Sequence, residues 1–263
     1  MGTYGIVLNR TTIYECFFFK VNSVLENKNL DELKKHNKPM YDTWMSLSGD
    51  SPNKQGMTPE EYYLRYAPYY PEFTNIVGIT YANIEFVDGK LKKNVQRIID
   101  HDETVVLERF FDVLYGLSTD GSNSTPPTFK ILTGFNIVYN DIPLLIKRFF
   151  VNRNKFKEKK EIPLILKHSL DLKPWEFGNL IDLANIWNFK GRNIYSLDLI
   201  SNHLGIETKE SLLSQHELSQ KYWEIVESNK EVKDDLSSLK LIARQGNLSL
   251  NLVIKIINIL RVY

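Results

Sequence analysis

The sequence predicts an α/β chain, and three observations carry that class. Asp88-Gly89 separates two long alternating stretches, "FTNIVGITYANIEF" and "KLKKNVQRIID", which is the strongest short-range hairpin signal a sequence offers. Apolar residues recur at helical spacing in "DETVVLERFFDVLYGL" and again through most of the chain beyond residue 174. Strands, a helix, further strands and then a helical half therefore follow one another, the order of a layered α/β domain.

Each element has its own reason. Residues 3–8, "TYGIVL", read as a first strand. Residues 26–72 form a polar insertion rich in Lys, Asn, Pro and Tyr, and near its end Thr58 as cap, Pro59 at the first helical position and Glu61 at the capping-box position predict a helix over 59–66. The hairpin follows, then a helix with acids in its first turn that a Ser/Asn/Pro segment at 118–127 closes. "FKILTG" is a strand, "DIPLLIKRFF" a helix, residues 151–163 a charged loop and "LILKHSLDL" a last strand. Four helices complete the chain: "PWEFGNLIDLANIW", "YSLDLISNHLGI", "SQHELSQKYWEIV" and "DDLSSLKLIARQGNLSLNLVIKIINIL". One domain over 1–263 is expected, with no internal repeat.

Composition narrows the function. With 33 Lys and Arg against 32 Asp and Glu, the net charge of +1 excludes a strongly basic nucleic-acid binder, so only a local patch can carry such a role. A single cysteine, Cys16, makes no internal disulfide, and five scattered histidines offer no close metal spacing. The opening "MGTYGIVLNR" lacks a signal peptide's features, and no apolar run reaches the ~20 residues of a membrane span. A cytoplasmic or virion-associated protein without membrane contact is expected. Phosphate-cradling glycine loops, nucleophile elbows and HExxH are absent from the sequence.

"GFNIVYNDIPLLIKR" resembles the second motif of the DEDD-type 3′–5′ exonucleases, through Asn136, Asp141, Ile142, Pro143 and Arg148. The likeness is strongest to stand-alone predicted exonucleases related to the proofreading domain of family B DNA polymerases, and extends to "YPEFTNIVGITYA" and "YSLDLISNHLGI". It implies a ribonuclease-H-like mixed sheet flanked by helices, with a long insertion after the first strand and a mainly helical C-terminal half. It also implies two Mg²⁺ ions held by four acids, since paired dications repel unless carboxylates neutralise them. The first strand would carry Asp-x-Glu, the helix after the fourth strand an Asp, and the last helix an Asp four residues after a water-positioning Tyr or His.

In this register Asn9 and Thr11 take the Asp-x-Glu positions, Ala243 the Tyr and Asn247 the last Asp, which leaves Asp141 as the surviving acid. Asp141 is then a helix N-cap or a lone metal ligand, and Asn9 and Asn247 are hydrogen-bonding residues of a former cleft. A shifted register would bring back Glu15, Asp234 or Asp235. Residues 148–160 hold six cations against one acid, with Phe149, Phe150 and Phe156 interleaved, so Arg148, Arg153, Lys155 and Lys157 are candidates for a nucleic-acid backbone. The tyrosines 62, 63, 66, 69 and 70 either form a protein interface or pack on their own domain.

The expectation is an exonuclease fold without catalysis, cofactor or metal, kept as a structural or binding module. Protein partners in an assembly, a homo-oligomer or ring, and a phage virion or tail fit a chain rich in Asn, Lys and Ile. Two alternatives stay open: a Mg²⁺-dependent exonuclease with an atypical acid set, and a single-strand-binding module that does not cut.

Overall fold

The computed structural model describes residues 13–49, 56–88, 90–117, 130–157, 161–171, 180–188, 195–229 and 236–261. The predicted strand 3–8, the segment 118–127, Asn9, Thr11, Asp234 and Asp235 lie outside the described residues. Within them a five-stranded mixed sheet forms the centre, flanked by helices, and the C-terminal half is mainly helical. The strand order is β3-β2-β1-β4-β5. β2 (Thr74–Val87) pairs antiparallel with both β1 (Cys16–Leu25) and β3 (Lys90–Ile99), whereas β4 (Ile131–Gly134) pairs parallel with β1 and β5 (Leu180–Asp182) parallel with β4.

β1 is not among the predicted elements. Its sequence "CFFFKVNSVL" is an almost unbroken apolar run, as expected of a strand with neighbours on both edges and helices on both faces. Phe17, Phe19 and Val21 enter one core with α4 (Glu103–Tyr115), α5 (Ile142–Asn152) and α6 (Leu164–Asp171). Phe18 points the other way, toward α7 (Leu183–Asn188), α8 (Leu197–His203) and α10 (Ser237–Arg261). Full burial of such a Phe contributes about 1.5–3 kcal/mol, and Phe17 and Phe18 are both 0% exposed. α9 (Gln215–Ser228) closes the far end of that second face over Val24 and Val77.

Most predicted elements form where expected. The hairpin turns at Asp88, which takes the left-handed backbone (φ 52°) such a turn requires. Thr58 and Glu61 complete the capping box of α3 (Pro59–Tyr66), with Pro59 in the first turn. Two assignments are corrected. Residues 164–171 of "LILKHSLDL" are helix α6, whose Ile165 and Leu166 are buried in the first core. The last strand is instead the three-residue "LID" of β5, inside a stretch predicted to be helical. So short a buried parallel strand has no period of its own to distinguish it from helix.

The insertion is more ordered than its polarity suggests. α1 (Leu30–His36), α2 (Lys38–Gly49) and α3 enclose a small core of Leu25, Leu30, Leu33, Trp44, Tyr62, Tyr63, Ala67 and Phe73. Tyr62 and Tyr63 pack on their own chain, while Tyr69 and Tyr70 are 56% and 45% exposed. Among the described residues no helix is long and apolar enough to cross a membrane.

Candidate functional site

The β4-to-α5 connection builds the site. β4 ends at Gly134, where a Cβ would stand 2.9 Å from the Phe19 carbonyl oxygen, so only glycine lets the connection turn this close to β1. Asn136 follows in the left-handed region (φ 56°), a conformation Asn tolerates, and one wide π-type turn (Ile137–Asp141) leads into α5. Asp182 of β5 ties this turn down: Oδ1 accepts the Asn136 N–H at 2.7 Å and the Ala184 N–H at 3.0 Å, and Oδ2 accepts the Val138 N–H at 3.0 Å. Burial pushes the Asp182 carboxyl above its ordinary range, its backbone N–H donors pull it back, and the charge of Asp141 adds to the rise.

Asp141 does not cap α5. Its backbone is already helical and its side chain accepts no capping hydrogen bond. The carboxylate, 0% exposed, reaches across to β1, the neighbouring strand. Lys20 Nζ donates to Oδ1 at 2.8 Å and to Oδ2 at 3.2 Å, the Val21 N–H to Oδ2 at 3.1 Å and Asn140 Nδ2 to Oδ1 at 2.6 Å. The geometry has a simple origin. The β1–β4 ladder ends at Phe18 and Thr133, so the next β1 N–H on that edge, Val21, has no strand to donate to, and Asp141 receives it.

Lys20 and Asn22 lie two residues apart on one face of β1, the spacing the resemblance assigns to Asp-x-Glu, whereas the predicted pair Asn9 and Thr11 falls outside the described residues. Lys20 was missed because no strand was expected at 16–25. A lysine inside an apolar run is nevertheless a signal, because a charge so placed must find a partner.

α10 covers the same face. Lys20, Thr80 and Arg97 form one row across β1, β2 and β3. Asn247 Oδ1 accepts from Arg97 Nε at 2.8 Å, at the opposite end of that row from the Lys20–Asp141 pair. With about 4.8 Å between strands, Arg97 and Lys20 are roughly 10 Å apart in the backbone. Asn247 is thus directed away from Asp141, and Ala243, half-buried one turn earlier, carries no polar group. Glu15 is exposed in a single turn ahead of β1. Among the described residues no three His, Cys, Asp or Glu side chains gather as a metal-binding group.

Gly246 sets how closely α10 approaches. A Cβ there would meet Thr80 Oγ1 at 2.2 Å and Asn22 Nδ2 at 2.8 Å, and both of these buried atoms lack a hydrogen-bond partner. Gly246→Ala is expected to destabilise the protein by about 1–3 kcal/mol in urea unfolding, as overpacking does. Adding Thr80→Ala removes the nearest atom, so the double variant recovers part of the loss.

The candidate nucleic-acid residues separate. Arg148 is a correction: it is 4% exposed and its guanidinium is bound to Glu103, so it presents no cation to a phosphate backbone. Arg153, Lys155 and Lys157 are exposed beyond the end of α5, beside Phe150 at 54% exposure. An eleven-residue helix separates them from Asp141, a length of about 16 Å. Comparison of the chain with protein-family models and with curated proteins returns no match.

Proposed function

We propose that this chain is an exonuclease-fold protein that does not cut, retained as a structural or binding module in a larger assembly. The observation that carries the reading is the environment of Asp141. It precedes the helix after the fourth strand, as the resemblance requires, yet the β1 side chain that meets it is Lys20, an ammonium, and the residue two further along the same face is the amide Asn22. The β2–β3 hairpin on one side of β1, paired to it antiparallel through β2, and two crossover strands parallel to it on the other side support a ribonuclease-H-like sheet.

The described residues do not fit a pair of Mg²⁺ ions. Hard dications require several anionic oxygens, whereas Asp141 already faces a cation and Asp182 is taken by three backbone N–H donors. Two-metal phosphodiester cleavage therefore has no support from this donor set.

The test is incubation of the protein with end-labelled single-stranded DNA and Mg²⁺ or Mn²⁺. Wild type and Asp141→Asn are expected to leave the strand equally intact, and light scattering to report a defined oligomer. Shortening by the wild type that Asp141→Asn abolishes would establish the working exonuclease instead.

A second reading, single-strand binding without cleavage, is favoured by one surface. From Ile142 to Lys157 the chain has no acidic residue, and its exposed part combines Phe150 with Arg153, Lys155 and Lys157. A ring on which a base stacks beside backbone-tracking cations suits single strands. Retention on single-stranded DNA that falls steeply with salt, and weakens in Lys155→Ala/Lys157→Ala, supports that reading.

A further inference from the structure

A carboxylate with no solvent contact needs either a cation or several N–H donors to stay charged. At Asp141 the chain supplies both from within itself. We infer that Lys20 is the resident cation of this site: its ammonium stands where a metal would neutralise Asp141, so the native protein takes up no divalent ion there. This rests on reading the site as a former metal site.

The first argument is charge. One ammonium and one carboxylate sum to zero, and the neighbouring Asp182 carboxylate is taken by three backbone N–H donors, so an arriving dication would meet the ammonium at close range with no free acid to offset it. The second is donor occupancy. Oδ1 receives Lys20 and Asn140, and Oδ2 receives Val21 and Lys20, which fills the roughly four acceptor positions of a carboxylate. The third is attachment. Lys20 belongs to the central strand and Asp141 to the turn that opens α5, so the ion pair fastens the β4–α5 connection to β1 without an exchangeable ion. Such a pair persists in chelator and at low metal concentration, where a metal-held connection would loosen.

The inference makes an unusual demand: an acid placed at residue 20 must create a metal site where the native chain has none. In Lys20→Asp two carboxylates would face each other in a largely buried space. Like charges there repel, and a dication relieves the repulsion. Thermal unfolding and Mn²⁺ electron paramagnetic resonance read this out. For the wild type, the melting temperature is expected to be the same in EDTA and in millimolar Mn²⁺, with no protein-bound Mn²⁺ signal. Lys20→Asp is expected to melt well below wild type in EDTA, to regain part of that loss with Mn²⁺ and to show a bound-ion spectrum. Adding Asp141→Asn should abolish both responses.

Lys20→Gln separates a general packing loss from the charge effect. It removes the ammonium without adding an acid, so it is expected to melt below wild type and to gain less from Mn²⁺ than Lys20→Asp. If Lys20→Asp is insoluble in EDTA, its refolding yield with and without Mn²⁺ replaces the melt. Bound Mn²⁺ on the wild type that Asp141→Asn removes would overturn the inference, as would a Lys20→Asp variant indifferent to the ion. Neither result depends on DNA cleavage, so the nuclease assay and this experiment fail independently.

Discussion

Replacing Arg148 with Ala is expected to lower the unfolding free energy by about 3–5 kcal/mol, because it strands a buried carboxylate. Glu103 is 6% exposed and accepts from Arg148 Nε and Nη2 at 2.8 and 2.6 Å, from the Ile76 N–H at 2.7 Å and from Asn152 Nδ2 at 2.6 Å. Arg148 Nη2 also donates to Asn75 Oδ1 at 2.7 Å. The group joins the start of β2 to α4 and α5. Arg148→Lys keeps the charge but not the planar two-pronged donor, so it should recover only a fraction. Changing both partners, in Glu103→Leu/Arg148→Met, leaves no buried charge, and the double variant is expected to be more stable than Arg148→Ala. Denaturant unfolding of the four proteins measures this. A double variant no more stable than Arg148→Ala would show that the stranded carboxylate is not the source of the loss.

Trp44→Ala should cost a similar amount, about 3–5 kcal/mol, the range for deleting a large buried aromatic ring. Trp44 is 1% exposed, and the rings of Tyr62, Tyr63, Tyr70 and Phe73 surround it at 5.0 to 5.8 Å between centroids. Its Nε1–H is buried without a partner. Trp44→Phe is therefore the informative companion: it keeps an aromatic filling and removes the unpaired donor, so the loss should be much smaller than for Ala. If the two variants unfold alike, the ring cluster is not what holds α1, α2 and α3 together.

The sequence was readable wherever one local rule governed one element. The turn at Asp88, the Thr58–Glu61 capping box and the amphipathic α4, α5 and α10 are fixed by neighbours within a few residues, and they form as expected. β1 and β5 escaped because strands buried on both faces lose the alternation that identifies strands. The insertion escaped differently: its core comes from single apolar residues spread over α1, α2 and α3, with Leu25 and Phe73 at its base. At the site, Asp141 was legible as a residue but not in its role. The rule for a carboxylate at a helix start points to a cap, whereas tertiary structure gives it to Lys20, 121 residues away. Arg148 failed for the same reason, since a cation in a basic run reads as exposed until a buried acid on another helix claims it.

The sheet also bears on whether another chain can join its edge. β3 is the terminal strand on its side, ten residues long, with no neighbour beyond it among the described residues. A bare margin of that length invites another chain to add a strand. Lys92, Lys93 and Arg97 oppose this, for two copies aligned margin to margin would bring like charges together, and Lys93 and Arg97 are further engaged by Asn251 and Asn247. Edge-to-edge pairing through a shared backbone ladder is thereby disfavoured.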